Sequence, residues 1–419
     1  MWSPLLSVLM SGPRWGWRGF VHRARGLSDL ALDSIADRVA ARRKARQKVI
    51  VLGAGLAGLS AAYRLRSLGH EVTLLEGSGR AGGRALTLRG PFTGGLHADA
   101  GGFRFRDDHL LVKSYVERFK IATAPFYPPH GSFLVQIGGV RLSRERWKPL
   151  PAGALPRALT ETEQWCFEQQ AGYETYKLAA GADALANAFA ERLQGHIRYR
   201  CVVQSIAQDE HGIRVAFHSD GPGELAADRL VCSLPFSVLS RIRVAEALSK
   251  DKQRVISALN YESSCLVFLQ VRRSFLKKMD FNGFAITDTV GEIWDLTFDR
   301  ESDADILVCY TRGDLARYFV AMDEQERGRA TIERLENMLP GIGSEVEVSA
   351  SKCWGRDEWS FGAQSITGTL PPADLLLIRR PEGRIHFAGE HTARRYRGWM
   401  EGAIESGHRA AREIHQAPG

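Results

Sequence analysis

The pattern of apolar and polar positions is clearest between residues 48 and 77. A short β-branched run, KVIVL, is followed by the turn GAGLAG and by the helical stretch LSAAYRL. A second β-branched run, HEVTLLEG, ends in Glu76 and Gly77. Short apolar runs bounded by turn residues predict buried strands, so this stretch predicts a strand–helix–strand unit. Residues 383–414 predict another strand, a loop and a long helix. The fold class predicted is therefore α/β.

The N-terminus differs from the rest of the chain. Residues 28–46 predict a helix, because Ser28 can cap its start and its apolar positions have helical spacing. Those apolar positions are Leu32, Ile35, Ala36 and Val39. Residues 1–27 are rich in arginine and contain no acid. We interpret them as a disordered or surface-attached leader of a cytoplasmic protein, with an organelle transit peptide as the alternative.

Composition excludes two classes of protein. The chain has 419 residues, a net charge of +8 and 44% hydrophobic residues. Residues 1–48 hold ten Lys or Arg and three Asp, so they carry +7 of that charge. Because the remaining chain is nearly neutral, a nucleic-acid-binding role is not expected. No apolar stretch approaches the roughly 18 residues of a membrane-spanning helix.

The cysteines show no metal or redox motif. They are scattered without a CxxC pair, and several lie in apolar runs such as LVCSLP and ILVCYT. This pattern predicts buried, reduced thiols in a reducing compartment, with a disulfide framework as the alternative. The six are Cys166, Cys201, Cys232, Cys265, Cys309 and Cys353.

The glycine-rich turn predicts a dinucleotide site. In the spacing GxGxxG, Gly53 permits the tight turn, Gly55 lets the backbone approach a pyrophosphate, and Gly58 lets helix and strand pack closely. The following helix N-terminus favours an anion. Glu76 lies where a carboxylate accepts hydrogen bonds from a ribose diol. Leu56 and Ala57, inside the motif, are assigned to the same site.

Two further segments resemble known flavoproteins. GRAGGRALTLR (79–89) resembles the GGR segment of glutathione-reductase-like FAD enzymes, which implies that Arg84 helps to hold the cofactor phosphates. GRIHFAGEHTARRYRGWMEGAIESG (383–407) resembles the C-terminal motif of the flavin-containing amine oxidase family. This resemblance implies that Glu390 binds the ribityl–phosphate region and that amides after Gly398 lie under the flavin. The further cofactor residues that it implies are Gly77, Gly101, Gly102, Phe103, Arg104, Val203, Trp399, Met400 and Ala403.

The resemblance covers residues 27–415 and implies the domain plan. We expect a Rossmann-type FAD domain, interleaved with a smaller α+β substrate domain. The FAD domain is assigned to residues 47–95, 179–240 and 350–419, and the substrate domain to 96–178 and 241–349. Family members with covalent flavin have a cysteine where this chain has Ala363, so non-covalent FAD is expected. Dimers are common in the family, which implies a possible homodimer, although the sequence itself leaves the oligomeric state open.

Arg104 distinguishes the chain within that family. L-amino-acid oxidases resemble it at GGFR (101–104), whereas monoamine oxidases lack this arginine; a guanidinium offers a two-point fork to a carboxylate. The resemblance assigns Tyr310 to the same carboxylate and Trp399 to a wall beside the flavin. The predicted reaction is oxidative deamination of an L-amino acid to a 2-oxo acid, ammonia and hydrogen peroxide. No side-chain base and no metal site are predicted.

Position 266 leaves alternatives open. The family usually has a lysine there, associated with the reaction with O₂, but this chain has Leu266. O₂ is still the expected acceptor. The alternatives are an amino-acid dehydrogenase or a decarboxylating monooxygenase, an amine oxidase or desaturase acting on substrates without a carboxylate, and a flavin-binding protein with little catalysis.

Overall fold

A computed structural model describes residues 45–128, 133–144, 153–160, 163–164, 173–244, 248–279, 281–368 and 370–417. The predicted leader and almost all of the predicted helix 28–46 lie outside these ranges. Within them, no helix is long and apolar enough to cross a membrane.

The described residues form strands, helices and three short 3-10 turns. The strands are β1 Lys48–Leu52, β2 Glu71–Leu75, β3 Leu86–Leu88, β4 Ala98–Gly101, β5 Phe105–Arg106, β6 Thr123–Pro125, β7 Phe133–Ile137, β8 Val140–Arg144, β9 Thr175–Leu178, β10 Ile197–Arg198, β11 Val202–Gln208, β12 Ile213–His218, β13 Pro222–Ala227, β14 Arg229–Cys232, β15 Asn260–Tyr261, β16 Ser264–Arg272, β17 Ala285–Thr287, β18 Gly291–Asp295, β19 Ala304–Arg312, β20 Val346–Cys353, β21 Ser365–Ile366 and β22 Ile385–Phe387. The helices are α1 Leu56–Ser67, α2 Leu110–Phe119, α3 Ala184–Arg192, α4 Phe236–Leu239, α5 Lys250–Ala258, α6 Arg273–Lys278, α7 Gly313–Ala321, α8 Glu324–Leu335, α9 Pro372–Arg379 and α10 Met400–Gln416. The 3-10 turns are Ile342–Ser344, Trp354–Arg356 and Glu390–Thr392.

A parallel sheet has the strand order β10-β2-β1-β14-β22. Four of the five residues of β1 are buried, as expected for a central strand covered on both faces. The chain leaves β1 toward β2 on one side and returns through β14 on the other. Ligands of such sheets bind at the carboxyl ends of the strands where the order reverses, so the crevice is expected beyond Leu52.

Helix α10 packs closely on α1, which closes that crevice from one side. A Cβ atom at Gly407 would lie 2.2 Å from Ser60 Oγ and 2.3 Å from the Ala57 carbonyl oxygen. Only glycine fits this crossing. The predicted strand–helix–strand unit is confirmed as β1, α1 and β2, and the predicted C-terminal strand and helix are confirmed as β22 and α10.

A second sheet has the order β20-β16-β19-β18-β17-β7-β8 and is antiparallel except between β17 and β7. Eight of the nine residues of β16 are buried. Side chains alternate between the two faces of a strand, and Leu266, Trp294 and Tyr310 share one apolar cluster. That cluster packs beside the crevice. The strands of the parallel sheet all come from the segments assigned to the FAD domain, while the division into two domains stays a prediction.

One expectation about the cysteines is wrong. Cys265 of β16 lies opposite Cys353 of β20, and the two form a disulfide with a Cα–Cα distance of 4.2 Å. Their sequence separation of 88 residues hides the pairing, which only the strand register creates. Cys201, Cys232 and Cys309 are buried free thiols. Cys166 lies outside the described residues.

Candidate active site

The first wall of the site is the turn between β1 and α1. Gly53 has φ +92°, and a Cβ atom at Gly58 would lie 2.0 Å from the Gly53 carbonyl oxygen. Gly55, the N-cap of α1, has no side-chain cap, and nothing lies within 4 Å of its Cβ position. The uncapped amides at the start of α1 therefore suit an anionic ligand, as a pyrophosphate would be.

Glu76 follows β2 and holds this turn. Its Oε2 accepts a hydrogen bond from the Ala54 amide at 2.6 Å, and its Oε1 accepts from the Ser78 amide at 2.8 Å and the Ser78 hydroxyl at 2.7 Å. The Trp359 ring lies against Gly77, where a Cβ atom would approach it to 2.4 Å. Glu76 thus orders the loop, and its role toward a ribose stays a prediction.

A cavity at the end of β1 joins residues from distant parts of the chain. Most residues predicted to bind cofactor or substrate line it: Gly55, Leu56, Ala57, Arg84, Gly101, Gly102, Phe103, Arg104, Tyr310, Glu390, Gly398, Trp399, Met400 and Ala403. The predicted residues that do not line it are Gly53, Gly58, Glu76, Gly77 and Val203. Gly53 and Gly58 contact each other within the turn, on the side away from the cavity lining, and Val203 lies in β11.

Sequence reasoning missed several lining residues: Gly82, Ala85, Ser233, Trp294, Arg312, Trp354, Gln364 and Gly389. Gly82 and Ala85 lie inside the GRAGGRALTLR segment, and Gly389 lies inside FAGE, so extending those motifs would have found them. Trp294 carries no motif signal, because it reaches the cavity only through the pairing of β18 with β19. Ala363, at the position considered for covalent attachment, also lines the cavity.

Glu390 connects three segments of the chain at the cavity. Its carboxylate accepts hydrogen bonds from Arg84 Nη1 at 2.9 Å, the Ser365 amide at 3.1 Å, the Ser365 hydroxyl at 2.8 Å and the Gly398 amide at 2.8 Å. Burial would raise the pKa of this carboxyl, but Arg84, His391 and the hydrogen bonds outweigh burial, so the pKa is lowered. Glu390 is therefore a fixed anion that orients Arg84 and the Gly398 loop.

The start of α10 forms the floor of the cavity. Its N-cap, Trp399, provides no side-chain cap, and Met400 and Ala403 in the first turn line the cavity. The positive end of a 17-residue helix is thus directed at the cavity. Such an N-terminus favours the negative charge that a reduced flavin carries at its pyrimidine end.

Arg104 lies in the cavity wall with its guanidinium among aromatic rings. Its Nη1 donates a hydrogen bond to the Tyr127 hydroxyl at 2.6 Å, and its Cζ lies 5.2 Å from the Phe126 ring centroid and 5.1 Å from that of Trp294. Among the residues that the structure describes, no carboxylate forms an ion pair with Arg104. Arg104 lines the cavity, and its predicted role toward a substrate carboxylate stays a prediction.

Tyr310 and a second arginine lie on β19. Burial raises the pKa of Tyr310 to about 12, so the phenol stays protonated. The Arg312 guanidinium lies 4.4 Å from the Tyr310 ring centroid, 3.6 Å from a Glu262 oxygen and 3.8 Å from a Glu292 oxygen. Burial also raises the pKa of Glu262. Arg312 thus enters the cavity with its charge already compensated by nearby carboxylates.

Leu266 faces the same side of the sheet as Tyr310. It is fully buried, and its register partners are Tyr310 on β19 and Lys352 on β20. Lys352 Nζ lies 2.5 Å from an Asp357 carboxylate oxygen and 4.6 Å from the Trp354 ring centroid. An apolar side chain therefore occupies position 266, and a lysine lies one strand away.

The geometry agrees with the comparisons with known proteins. The chain belongs to the family of flavin-containing amine oxidoreductases, whose family model matches residues 56–179 and 157–415. It is therefore a flavin-dependent oxidoreductase with FAD as its cofactor, as the sequence predicted. The uncapped starts of α1 and α10, Arg84 and the Glu390 network fit that cofactor, and Ala363 is consistent with non-covalent binding.

Relatives are found among amino-acid and amine oxidases. The flavin-dependent L-tryptophan oxidase RebO of Lentzea aerocolonigenes is 29% identical, over 90% of this chain and 99% of its own. An L-amino-acid oxidase of Demansia vestigiata is 25% identical, over 88% of this chain and 87% of its own. The structure of cyclohexylamine oxidase from Brevibacterium oxydans has a TM-score of 0.77 at 20% identity, over 89% of this chain and 99% of its own, which confirms the fold class.

Glu401, in the first turn of α10, predicts a pH-dependent stability. Its carboxylate accepts hydrogen bonds from the Leu111 and Val112 amides at 2.9 Å each, and burial raises its pKa from 4.5 to about 7. Between pH 4.5 and 7 the folded state still holds a proton that the unfolded chain has released, so the free energy of unfolding falls as the pH rises. The stabilisation by this group is complete below pH 4.5. The stabilisation is lost as the pH rises through 7, by about 3 kcal/mol at most.

The expected result is that Glu401→Gln flattens the fall in unfolding free energy between pH 5 and pH 8. Urea titrations at both pH values measure it. Glu413→Gln on the same helix is the control, because the pKa of Glu413 is lowered and its loss should leave the fall in place. Parallel curves for wild type and Glu401→Gln would contradict the assignment.

Proposed function

We propose that the protein oxidises an L-amino acid to a 2-oxo acid, ammonia and hydrogen peroxide. The substrate carboxylate binds Arg104, assisted by the Tyr310 hydroxyl, and Trp399 forms the wall that orients the substrate Cα–H. FAD, when bound, would supply the two-electron oxidation at Cα, and O₂, the expected acceptor, would take up the electrons to give hydrogen peroxide. The imino acid formed is hydrolysed by water.

One observation carries the proposal: a buried guanidinium lies in the cavity wall without a carboxylate partner among the described residues. Arg104 is 6% exposed, and leaving a charge buried without an anion is costly. A substrate carboxylate would supply that anion in a two-point geometry. The relatives that are L-amino-acid oxidases support the same substrate class.

Tyr310 and Glu390 do not change their protonation state near neutral pH. The ionisable groups among the described lining residues are Arg84, Arg104, Tyr310, Arg312 and Glu390. Tyr310 keeps its proton because its pKa is raised, and Glu390 stays ionised because its pKa is lowered. No general base is therefore assigned, and the substrate has to arrive as the neutral amine. The protein contributes position and charge.

A second candidate is oxidation of an amine that lacks a carboxylate. The aromatic side chains around the cavity favour it, because Phe103, Trp294 and Tyr310 would also bind an apolar amine. In that case Arg104 would serve only to pack against Phe126 and Trp294. The two candidates differ in whether the substrate needs a carboxylate.

Anaerobic flavin absorbance separates these candidates. We expect at least one L-amino acid to bleach the oxidised flavin band of the purified protein, and its D-isomer not to. The decarboxylated amine of the same side chain should bleach it much more slowly. Bleaching by amines alone would replace the proposal with the second candidate, and bleaching by neither would remove both. A peroxide assay in air tests whether O₂ is the electron acceptor. O₂ is a proposal because this chain has Leu266 where the family usually has the lysine associated with the reaction with O₂.

A further inference from the structure

Two segments that are distant in sequence meet beside the cavity. The first, residues 104–112, begins with Arg104; the second, residues 396–401, contains Trp399. Both of these residues line the cavity. Their relative position therefore depends on how the two segments are held together. We call the side chains that join them the clasp: Arg106, Asp108, His109, Tyr396 and Glu401.

Asp108 receives hydrogen bonds from both segments. Arg106 donates from Nε to Oδ1 at 3.0 Å and from Nη2 to Oδ2 at 3.1 Å, and the Tyr396 hydroxyl donates to Oδ2 at 3.1 Å. The Arg106 Cζ also lies 5.3 Å from the Trp399 ring centroid. One carboxylate thus ties a guanidinium that faces Trp399 to a tyrosine three residues before it.

His109 fills the space between the segments. It is fully buried, and its ring meets the Trp399 ring at 4.9 Å and 77° and the Tyr396 ring at 4.8 Å and 69°. Its Nδ1 accepts a hydrogen bond from the Arg106 amide at 3.3 Å, so Nε2 carries the hydrogen of the neutral ring. Burial and the nearby Arg106 hold the pKa of His109 well below its ordinary value. The ring therefore packs as an uncharged edge against both aromatic rings.

The backbone of the second segment is constrained from the other side. Tyr396 has φ +54°, which is uncommon for a tyrosine, and a Cβ atom at Gly402 would lie 2.3 Å from its carbonyl oxygen. Glu401 caps α2 through the Leu111 and Val112 amides. A strained residue persists where its surroundings determine its conformation, and the clasp provides those surroundings.

We propose that Asp108 and His109 are positioning residues that fix the Trp399 wall relative to the Arg104 anchor. This inference rests on the proposed function, in which Arg104 holds the carboxylate and Trp399 orients the Cα–H. Weakening the clasp leaves Arg104 in place but lets Trp399 move, so the substrate Cα–H is held in a less defined orientation. A displacement of about 1 Å can lower a rate a hundredfold without a comparable loss of binding.

The test compares two tyrosine hydroxyls on the holoenzyme. Tyr396→Phe removes the hydrogen bond to Asp108. Its matched control, Tyr115→Phe, removes the 2.8 Å hydrogen bond to His408, which joins α2 and α10 away from the cavity. Stopped-flow anaerobic flavin reduction gives the limiting rate and the substrate Kd separately. We expect Tyr396→Phe to lower the limiting rate about tenfold with both the substrate Kd and the FAD Kd within about twofold, and Tyr115→Phe to leave all three unchanged.

A second pair of variants tests His109. His109→Ala should lower the limiting rate by at least as much as Tyr396→Phe, and His109→Phe, which keeps an uncharged ring, should restore most of it. Equal rate losses in Tyr396→Phe and Tyr115→Phe, or unchanged rates in Tyr396→Phe and His109→Ala, would overturn the inference.

If no amino acid reduces the wild-type flavin, the proposed function fails, but the clasp can still be tested. Amide hydrogen exchange then tests the clasp directly, because it needs no substrate. Faster exchange at residues 398–401 in Tyr396→Phe than in Tyr115→Phe supports the clasp. Equal exchange in the two variants overturns it.

Discussion

An Arg104→Lys variant is expected to raise the KM for an L-amino acid at least tenfold, and Arg104→Met at least about a hundredfold. A lysine keeps the charge but cannot reproduce a two-point fork, whereas methionine removes both hydrogen bonds. Hydrogen bonds to a charged group contribute roughly 1.5–3 kcal/mol each, and about 2.7 kcal/mol corresponds to a factor of a hundred. Initial rates over a range of amino-acid concentrations measure the change.

Two controls separate the anchor from general damage. The decarboxylated amine of the same side chain should lose little in kcat/KM, because it has no carboxylate for Arg104 to bind. Arg241→Lys is the matched variant, since Arg241 is exposed and its Cζ lies 3.6 Å from the Phe361 ring centroid, away from the cavity lining. An unchanged KM in Arg104→Lys, or equal losses with amine and amino acid, would contradict the anchoring role.

A Glu390→Gln variant is expected to lose FAD, with the Kd for FAD raised at least a hundredfold. The neutral amide no longer balances Arg84, and its NH₂ group would face donors from Ser365 and Gly398. Removing one partner of a buried pair typically costs about 3–5 kcal/mol. The ratio of flavin to protein absorbance after purification and a titration with FAD both measure the loss.

The comparison for this variant is Asp374→Asn. Asp374 on α9 accepts two hydrogen bonds from the Arg254 guanidinium of α5, each with an N–O distance of 2.8 Å. Neither residue lines the cavity. This substitution also removes one carboxylate charge from an arginine pair, yet FAD content should stay at the wild-type level. A Glu390→Gln protein that is purified with full FAD would show that the network does not control cofactor affinity.

Local motifs determined how much of the site was predictable. The turn at Gly53–Gly58, Arg84 and the loop from Glu390 to Ala403 lie in continuous segments that carry flavoprotein motifs, so the sequence indicated them directly. Trp294 and Arg312 reach the cavity because β18 and β19 are paired in one register. A single sequence does not specify that register.

The same limit explains the error about the cysteines. Cys265 lies in the apolar strand β16 and Cys353 ends the more polar strand β20, and in both places an isolated cysteine is most often a buried thiol. Only the alignment of β16 with β20 places them opposite each other. The clasp shows the limit again, since His109 and Tyr396 are 287 positions apart and neither carries a motif that points to the other.

The cross-link between β16 and β20 turns residues 265–353 into a covalent ring. Trp294, Tyr310 and Arg312, which line the cavity, all belong to this ring. A single break of the main chain inside the ring leaves the two fragments joined. The ring also limits how far the unfolded chain can spread, which in the chain-entropy view favours the folded state by up to about 5 kcal/mol.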